Sequence, residues 1–180
     1  MSKKCLLFAV VAMLAGSAFA ADRDSSGVTP NLDKGTKVLE GAGRADVMAD
    51  ELQIQLAYGR LVADGIEVAA VAGLRDDESY MSTELGGRAE YNFLFNSPIV
   101  PFLGAGVSWV SAEADDSDLD TDAAVFSVGG GLKYFIRDEV ALAVSGSYLF
   151  ATDDIFVDSD DGELQDDEFR ILFGVRFYFD

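Results

Sequence analysis

The side chains able to do chemistry in this 180-residue chain are almost all carboxylates, 32 Asp and Glu against 13 Lys and Arg, with no His and one Cys. Without imidazole there is no Ser-His-Asp or Cys-His nucleophilic catalysis, and the commonest transition-metal ligand is gone. Paired-acid catalysis and hard-cation binding remain. Acid catalysis needs a carboxyl held at a raised pKa. The densest acids, Asp115, Asp116, Asp118 and Asp120, lie in a polar stretch that supplies no such environment. Asp158-Ser-Asp160-Asp-Gly162 starts like a calcium loop, but its glycine comes one position early and Phe169 stands where the bidentate Glu belongs. These loops are therefore read as a hydrated acidic coat, with loose divalent binding as the alternative. Gly104-Ala-Gly106 lacks the third glycine and the helix of a dinucleotide fingerprint. No catalytic site, metal site or cofactor is expected. A formal charge of -19 repels phosphate, which disfavours nucleic acid as a partner.

A second set of charges has a different setting. Glu40, Arg44, Glu67, Arg75, Glu84, Arg88, Glu90, Lys133, Arg170 and Arg176 each sit inside a segment of alternating polarity. The last of these segments is the clearest. Phe169, Ile171, Phe173, Val175, Phe177 and Phe179 fall on one face of an extended strand, with Arg170 and Arg176 on the other. A soluble sheet hides the Phe face and shows the Arg face to water. A membrane barrel does the reverse, with apolar side chains to lipid and polar ones to the lumen.

Segment length and spacing favour the barrel. Eight segments of strand length run from residue 36 to the end: 36–47, 51–62, 66–75, 82–95, 99–111, 123–136, 139–150 and 169–179. All exceed the about five to six residues of soluble strands and reach the about nine to eleven that a tilted crossing requires. Connections near 64, 97 and 138 are tight, whereas those near 48, 78, 117 and 160 are acidic and mostly longer. In an up-and-down barrel, alternate connections share a rim. One rim is thus trim and the other carries loops, as in transmembrane barrels. Tyr58, Phe93, Phe95, Tyr134, Phe177 and Phe179 lie toward the trim rim; Trp109, Tyr148, Phe150 and Phe169 lie toward the loop rim. Two belts so placed correspond to the girdles at two membrane interfaces. The alternative, a soluble ligand carrier, would crowd these rings into an interior only just wide enough for side chains. The expected fold is an all-β, eight-stranded antiparallel up-and-down transmembrane β-barrel.

In that fold the ten charges above face a narrow lumen, where buried charges are tolerable only if paired or hydrated. They are expected to form a salt-bridge network with trapped water, which plugs the barrel; a narrow channel for small solutes is the alternative.

The N-terminus reads as an export signal. Lys3 and Lys4 precede an apolar run from Leu6 to Ala15, and Ala18-Phe19-Ala20 is a small-x-small site predicting cleavage between Ala20 and Ala21. Residues 1–20 are then a signal peptide, 21–35 a flexible lead-in and 36–180 the barrel. The lone Cys5 lies in the leader, so the exported chain has no internal disulfide.

Two stretches resemble the small outer-membrane β-barrel family of the OmpA-like and OmpX-like kind. Pro98-Ile-Val-Pro-Phe-Leu-Gly-Ala-Gly-Val107 resembles its Pro-aromatic-x-Gly-x-Gly strand after a periplasmic turn. Gly131-Leu-Lys-Tyr-Phe-Ile-Arg-Asp-Glu-Val-Ala-Leu142 resembles its Tyr-Phe, tight turn, apolar strand unit, of which Tyr58-Gly-Arg-Leu-Val-Ala-Asp-Gly-Ile66 is a weaker copy. The final strand resembles the family's C-terminal assembly signal, matched at Phe177 and Phe179, although Asp180 follows where the aromatic usually ends the chain. The resemblance implies a cell outer membrane location and recognition by the barrel-insertion machinery. It also implies contact with outer-membrane lipid and lipopolysaccharide, in a monomer. Barrel hydrolases and acyltransferases of this kind rely on His, so a structural or surface-interaction role is expected in place of an enzymatic one. The cell-wall tethering of full-length OmpA relatives, which uses a peptidoglycan-binding domain after the barrel, is not expected.

Overall fold

The computed structural model describes residues 27–46, 51–76, 80–95, 97–114, 120–157 and 164–180. The leader with Ala20 and Ala21, Asp115 to Asp118, and the stretch from Asp158 to Gly162 lie outside the described residues. The barrel strands are β1 (Lys37–Asp46), β2 (Glu51–Ala63), β3 (Ile66–Asp76), β4 (Tyr80–Asn92), β5 (Ile99–Ala114), β6 (Asp120–Arg137), β7 (Val140–Ala151) and β10 (Asp167–Phe179). They close in the order β1-β10-β7-β6-β5-β4-β3-β2, every pair antiparallel. This is an eight-stranded up-and-down transmembrane β-barrel.

Side-chain parity sets which face is which. Along β3, Ile66, Val68, Ala70, Ala72 and Leu74 are exposed, while Glu67, Ala69, Val71 and Arg75 are buried. Phe173 is 64% exposed and Arg176 only 1%. The apolar side faces outward and the charged side inward, the inversion that a membrane solvent demands.

The Asp64–Gly65 connection forms as the spacing predicts. Gly65 takes φ +71, and a Cβ there would stand 2.8 Å from the Asn92 carbonyl oxygen, so glycine is needed twice over. Register shifts at Leu61/Ala63 and Phe135/Arg137 place an extra residue just before this turn and its counterpart at Asp138–Glu139. Such bulges increase local twist and suit barrel rims.

The structure corrects the sequence reading in three places. β4 ends at Asn92, so Phe93 and Phe95 belong to the turn and not to the strand. Within the stretch read as one loop, 151–167, β8 (Phe156–Val157) pairs with β9 (Leu164–Gln165). The expected flexible lead-in is, over residues 28–35, a strap tied across the trim mouth. Thr29 N donates to Asp138 Oδ1 at 2.8 Å and Asn31 N to the Asp138 carbonyl at 2.9 Å. Further along, Gly35 N donates to the Leu61 carbonyl at 2.8 Å, and Gly65 N to the Leu32 carbonyl at 3.0 Å. Pro30, Asn31, Asp33 and Gly35 supply turn-forming backbone here, and Leu32, 2% exposed, supplies the anchor.

Candidate functional site

The lumen is filled in layers, and each layer follows from residues at matching heights on several strands. At the trim end, Leu32 of the strap packs with Val38, Leu61, Val100, Phe135, Ala141 and Tyr178 into an apolar seal. The Phe135 and Tyr178 rings lie 5.3 Å apart. Above the seal are three carboxylates and three cations: Glu40, Glu67 and Glu90 with Arg88, Lys133 and Arg176. Lys133 Nζ stands 3.1 Å from Glu67 Oε2 and 3.0 Å from Glu90 Oε2. Arg176 grips Glu90 through Nη1 at 2.5 Å and Nη2 at 3.0 Å, and its Nε lies 2.9 Å from Glu40 Oε2. Arg88 Nη2 bonds Glu40 and lies 3.4 Å from Glu67, while its Nε is 3.0 Å from Glu90.

The groups balance, three against three. Glu67 and Glu90 are register neighbours on β3 and β4. That like-charged pair would be destabilising alone; Lys133, reaching from β6, bridges both. Phe102 lies beside the cations, with its ring centroid 4.8 Å from Lys133 Nζ and 4.9 Å from Arg176 Cζ, within cation–π range.

A second cluster sits toward the loop rim. Arg75 Nη1 lies 3.3 Å from Glu168 Oε2, which also accepts from Arg170 Nη2 at 2.9 Å. Arg170 Nη1 reaches Glu84 Oε2 at 3.4 Å. With its amide oxygen turned to the guanidinium, Gln53 accepts from Arg170 Nη1 at 2.8 Å. Over this cluster Ile155 and Phe156, at the start of the small hairpin, pack on Val110, Ala123, Val125 and Leu149.

Between the clusters is a cavity of about 90 Å³ against a wall of small residues, including Gly104, Gly106, Ser108, Ser127, Ser145 and Ser147. It has room for about six waters and hydroxyl partners to hold them. The wall is small because the charges opposite are large. Glu90 is registered against Gly104 and Arg88 against Gly106. A Cβ at residue 106 would come 2.8 Å from Ser127 Oγ and 3.1 Å from the Gly87 carbonyl.

Nine of the ten charges singled out in the sequence fall in one cluster or the other. The tenth, Arg44, is half-buried on β1, in register with Gln53. Glu168 lies one residue before the segment predicted over 169–179, and its parity with Arg170 places it inside. Asn92 shares the inward face of β4 with Glu84, Arg88 and Glu90 and is buried, its Nδ2 donating to the Gly65 carbonyl at 3.1 Å; the packing of the inward apolar residues into two clusters has no counterpart in the sequence reading. Of the aromatic positions, Tyr58, Phe95, Trp109, Tyr134, Tyr148, Phe150, Phe169 and Phe179 are exposed, and Phe93 and Phe177 are half-buried. Among the described residues no group of His, Cys, Asp and Glu is arranged to hold a metal ion.

Solved structures share this architecture. The N-terminal β-barrel domain of Pseudomonas aeruginosa OprF aligns at 21% identity and a TM-score of 0.61, covering 81% of this chain and 98% of that one. Neisserial surface protein A aligns at 18% identity and a TM-score of 0.57, covering 80% and 95% respectively. Comparison with curated proteins finds no match. The family model described as "Outer membrane protein beta-barrel domain" matches residues 6–177. With nearly its whole length matched by that model and its strands closed in the same kind of cylinder, the chain belongs to the outer membrane protein β-barrel domain family.

Proposed function

We propose that this outer-membrane barrel is non-enzymatic and non-conducting, with a structural or surface-interaction role. The observation that supports the reading is the succession of layers inside it: an apolar cluster, a neutral charge cluster, a small cavity, a second neutral cluster and a second apolar cluster. Leu32, Phe135 and Tyr178 are buried together toward the periplasmic side of the cavity, and Ile155 and Phe156 toward the loop side, which supports occlusion at both ends. In a plug of this kind each cation faces a carboxylate, which offsets part of the cost of burying it, and the network orders the strands that donate to it.

The aromatic rings then serve as the two interface girdles. The acidic loops form the outer surface, in contact with lipopolysaccharide. Export depends on residues 1–20, and insertion on the alternating aromatics of β10 being read by the assembly machinery. The absence of His supports a non-catalytic role.

Planar-bilayer recording of the refolded chain tests this reading. A silent bilayer is the expected result, and discrete conductance steps would favour the narrow channel.

A further inference from the structure

We infer that the outer wall of the closing seam carries a binding groove for one inner-leaflet phospholipid, its phosphate held by Lys37 and Arg60 and an acyl chain laid over Gly41 and Gly43. Lys37 on β1 and Arg60 on β2 are register partners at the trim rim. Both face outward, since Val38 and Leu61 beside them are buried at 0% exposure. Two like charges directly opposite each other repel, and among the described residues neither forms an ion pair. An anion supplied from outside the chain offsets that repulsion.

The height of the pair selects the anion. Lys37 Nζ stands 5.8 Å from the Phe179 ring centroid, at the edge of the exposed aromatic surface, and short turns mark this rim as periplasmic. A phospholipid phosphate lies at that depth, whereas lipopolysaccharide occupies the opposite leaflet.

The wall above the pair fits the rest of the molecule. Outward positions on β1 continue as Leu39, Gly41 and Gly43, flanked by Leu56 on β2 and by Val175 and Phe173 on β10. A Cβ at residue 41 would meet only Leu56 Cδ2, at 3.8 Å, so the trough is open there, while at residue 43 the Gln53 carbonyl oxygen, 2.8 Å from where a Cβ would stand, leaves glycine backbone as its floor. From Lys37 to Gly43 the strand rises about 20 Å, enough to follow an acyl chain through most of one leaflet. Charge at the base and an apolar trough above it match the polarity of a phospholipid.

The refolded full chain in neutral detergent would be titrated with dioleoylphosphatidylglycerol and read by native mass spectrometry. One lipid should remain bound under activation that strips the others. Lys37→Ala with Arg60→Ala should weaken it by about thirtyfold, the effect of two membrane-surface cations. Gly41→Leu, which has space in the groove, should weaken it several-fold while heat-modifiable gel migration stays normal. Dioleoylglycerol, lacking the phosphate, should bind as poorly as the double variant does. Equal binding by the double variant, or by dioleoylglycerol, would overturn the phosphate site. Unchanged binding by Gly41→Leu, or competition by inorganic phosphate alone at matching affinity, would overturn the groove.

Discussion

The two charge clusters use the same chemistry in different surroundings. The one near the trim rim is the drier: its Lys133 and Glu67 side chains are 0% exposed, Arg176 1%, and Glu40 and Glu90 5%, with only Arg88, which lines the cavity, reaching 15%. Its six groups are so interlinked that each carboxylate touches at least two cations. The cluster near the loop rim is wetter, its side chains 8–16% exposed, and it forms a chain from Arg75 through Glu168 and Arg170 to Glu84. The difference teaches where an ion pair matters. Water that can replace a lost partner makes a pair dispensable; its exclusion makes each partner obligatory.

The sharpest way to break the contrast is to remove one member of the dry cluster. Glu67→Ala leaves Lys133 with Glu90 alone, and should cost about 3–5 kcal/mol. Urea unfolding in lipid vesicles, followed through the single tryptophan, Trp109, would measure it. Replacing both partners, Lys133→Met with Glu67→Leu, should recover most of that loss, because two apolar groups leave less uncompensated charge behind. A double variant as unstable as Glu67→Ala would show that the pair itself contributes most of the stability.

Next in size is the apolar cluster that packs beneath these charges. Leu32→Ala should cost about 2–5 kcal/mol through the cavity it leaves. It should also speed hydrogen exchange at the Gly65 amide, which donates to the Leu32 carbonyl. The smallest effect belongs to the loop side. Glu84→Gln should shift stability by about 1 kcal/mol or less, since the amide still accepts and the site is partly hydrated. If Glu84→Gln destabilised the barrel as much as Glu67→Ala, the distinction between dry and wet clusters would collapse.

Much of this fold is legible in the chain because a strand has a period of two. Parity alone assigns Phe173 outward and Arg176 inward, and tight turns at Asp64–Gly65 and near Asp138 follow from residue type. Parity does not give height, and height decides which charges meet. Glu90 and Arg176 are 86 residues apart, as are Glu84 and Arg170. Their pairing depends on strand stagger around a cylinder, which no local pattern records. Inward apolar residues were invisible for a related reason. Val100, Phe135 and Tyr178 have lumen parity, but only their position at the strand ends makes them a seal. The strap escaped notice because one buried leucine in a Ser-, Asp- and Gly-rich stretch leaves no periodic signal.

The pairing of β1 with β10 has a consequence for how the molecule comes to be whole. Glu40 and Arg176 are register partners across that junction, and Arg176 also touches Glu67 and Glu90. A sheet with its first and last strands still apart holds Glu40 away from its guanidinium, with both groups open to bulk water. Joining the ends neutralises the interior in the same movement that completes the cylinder. Closure in any other register would leave these ions unmatched inside the cylinder, so the interior charges and the register of the junction specify each other.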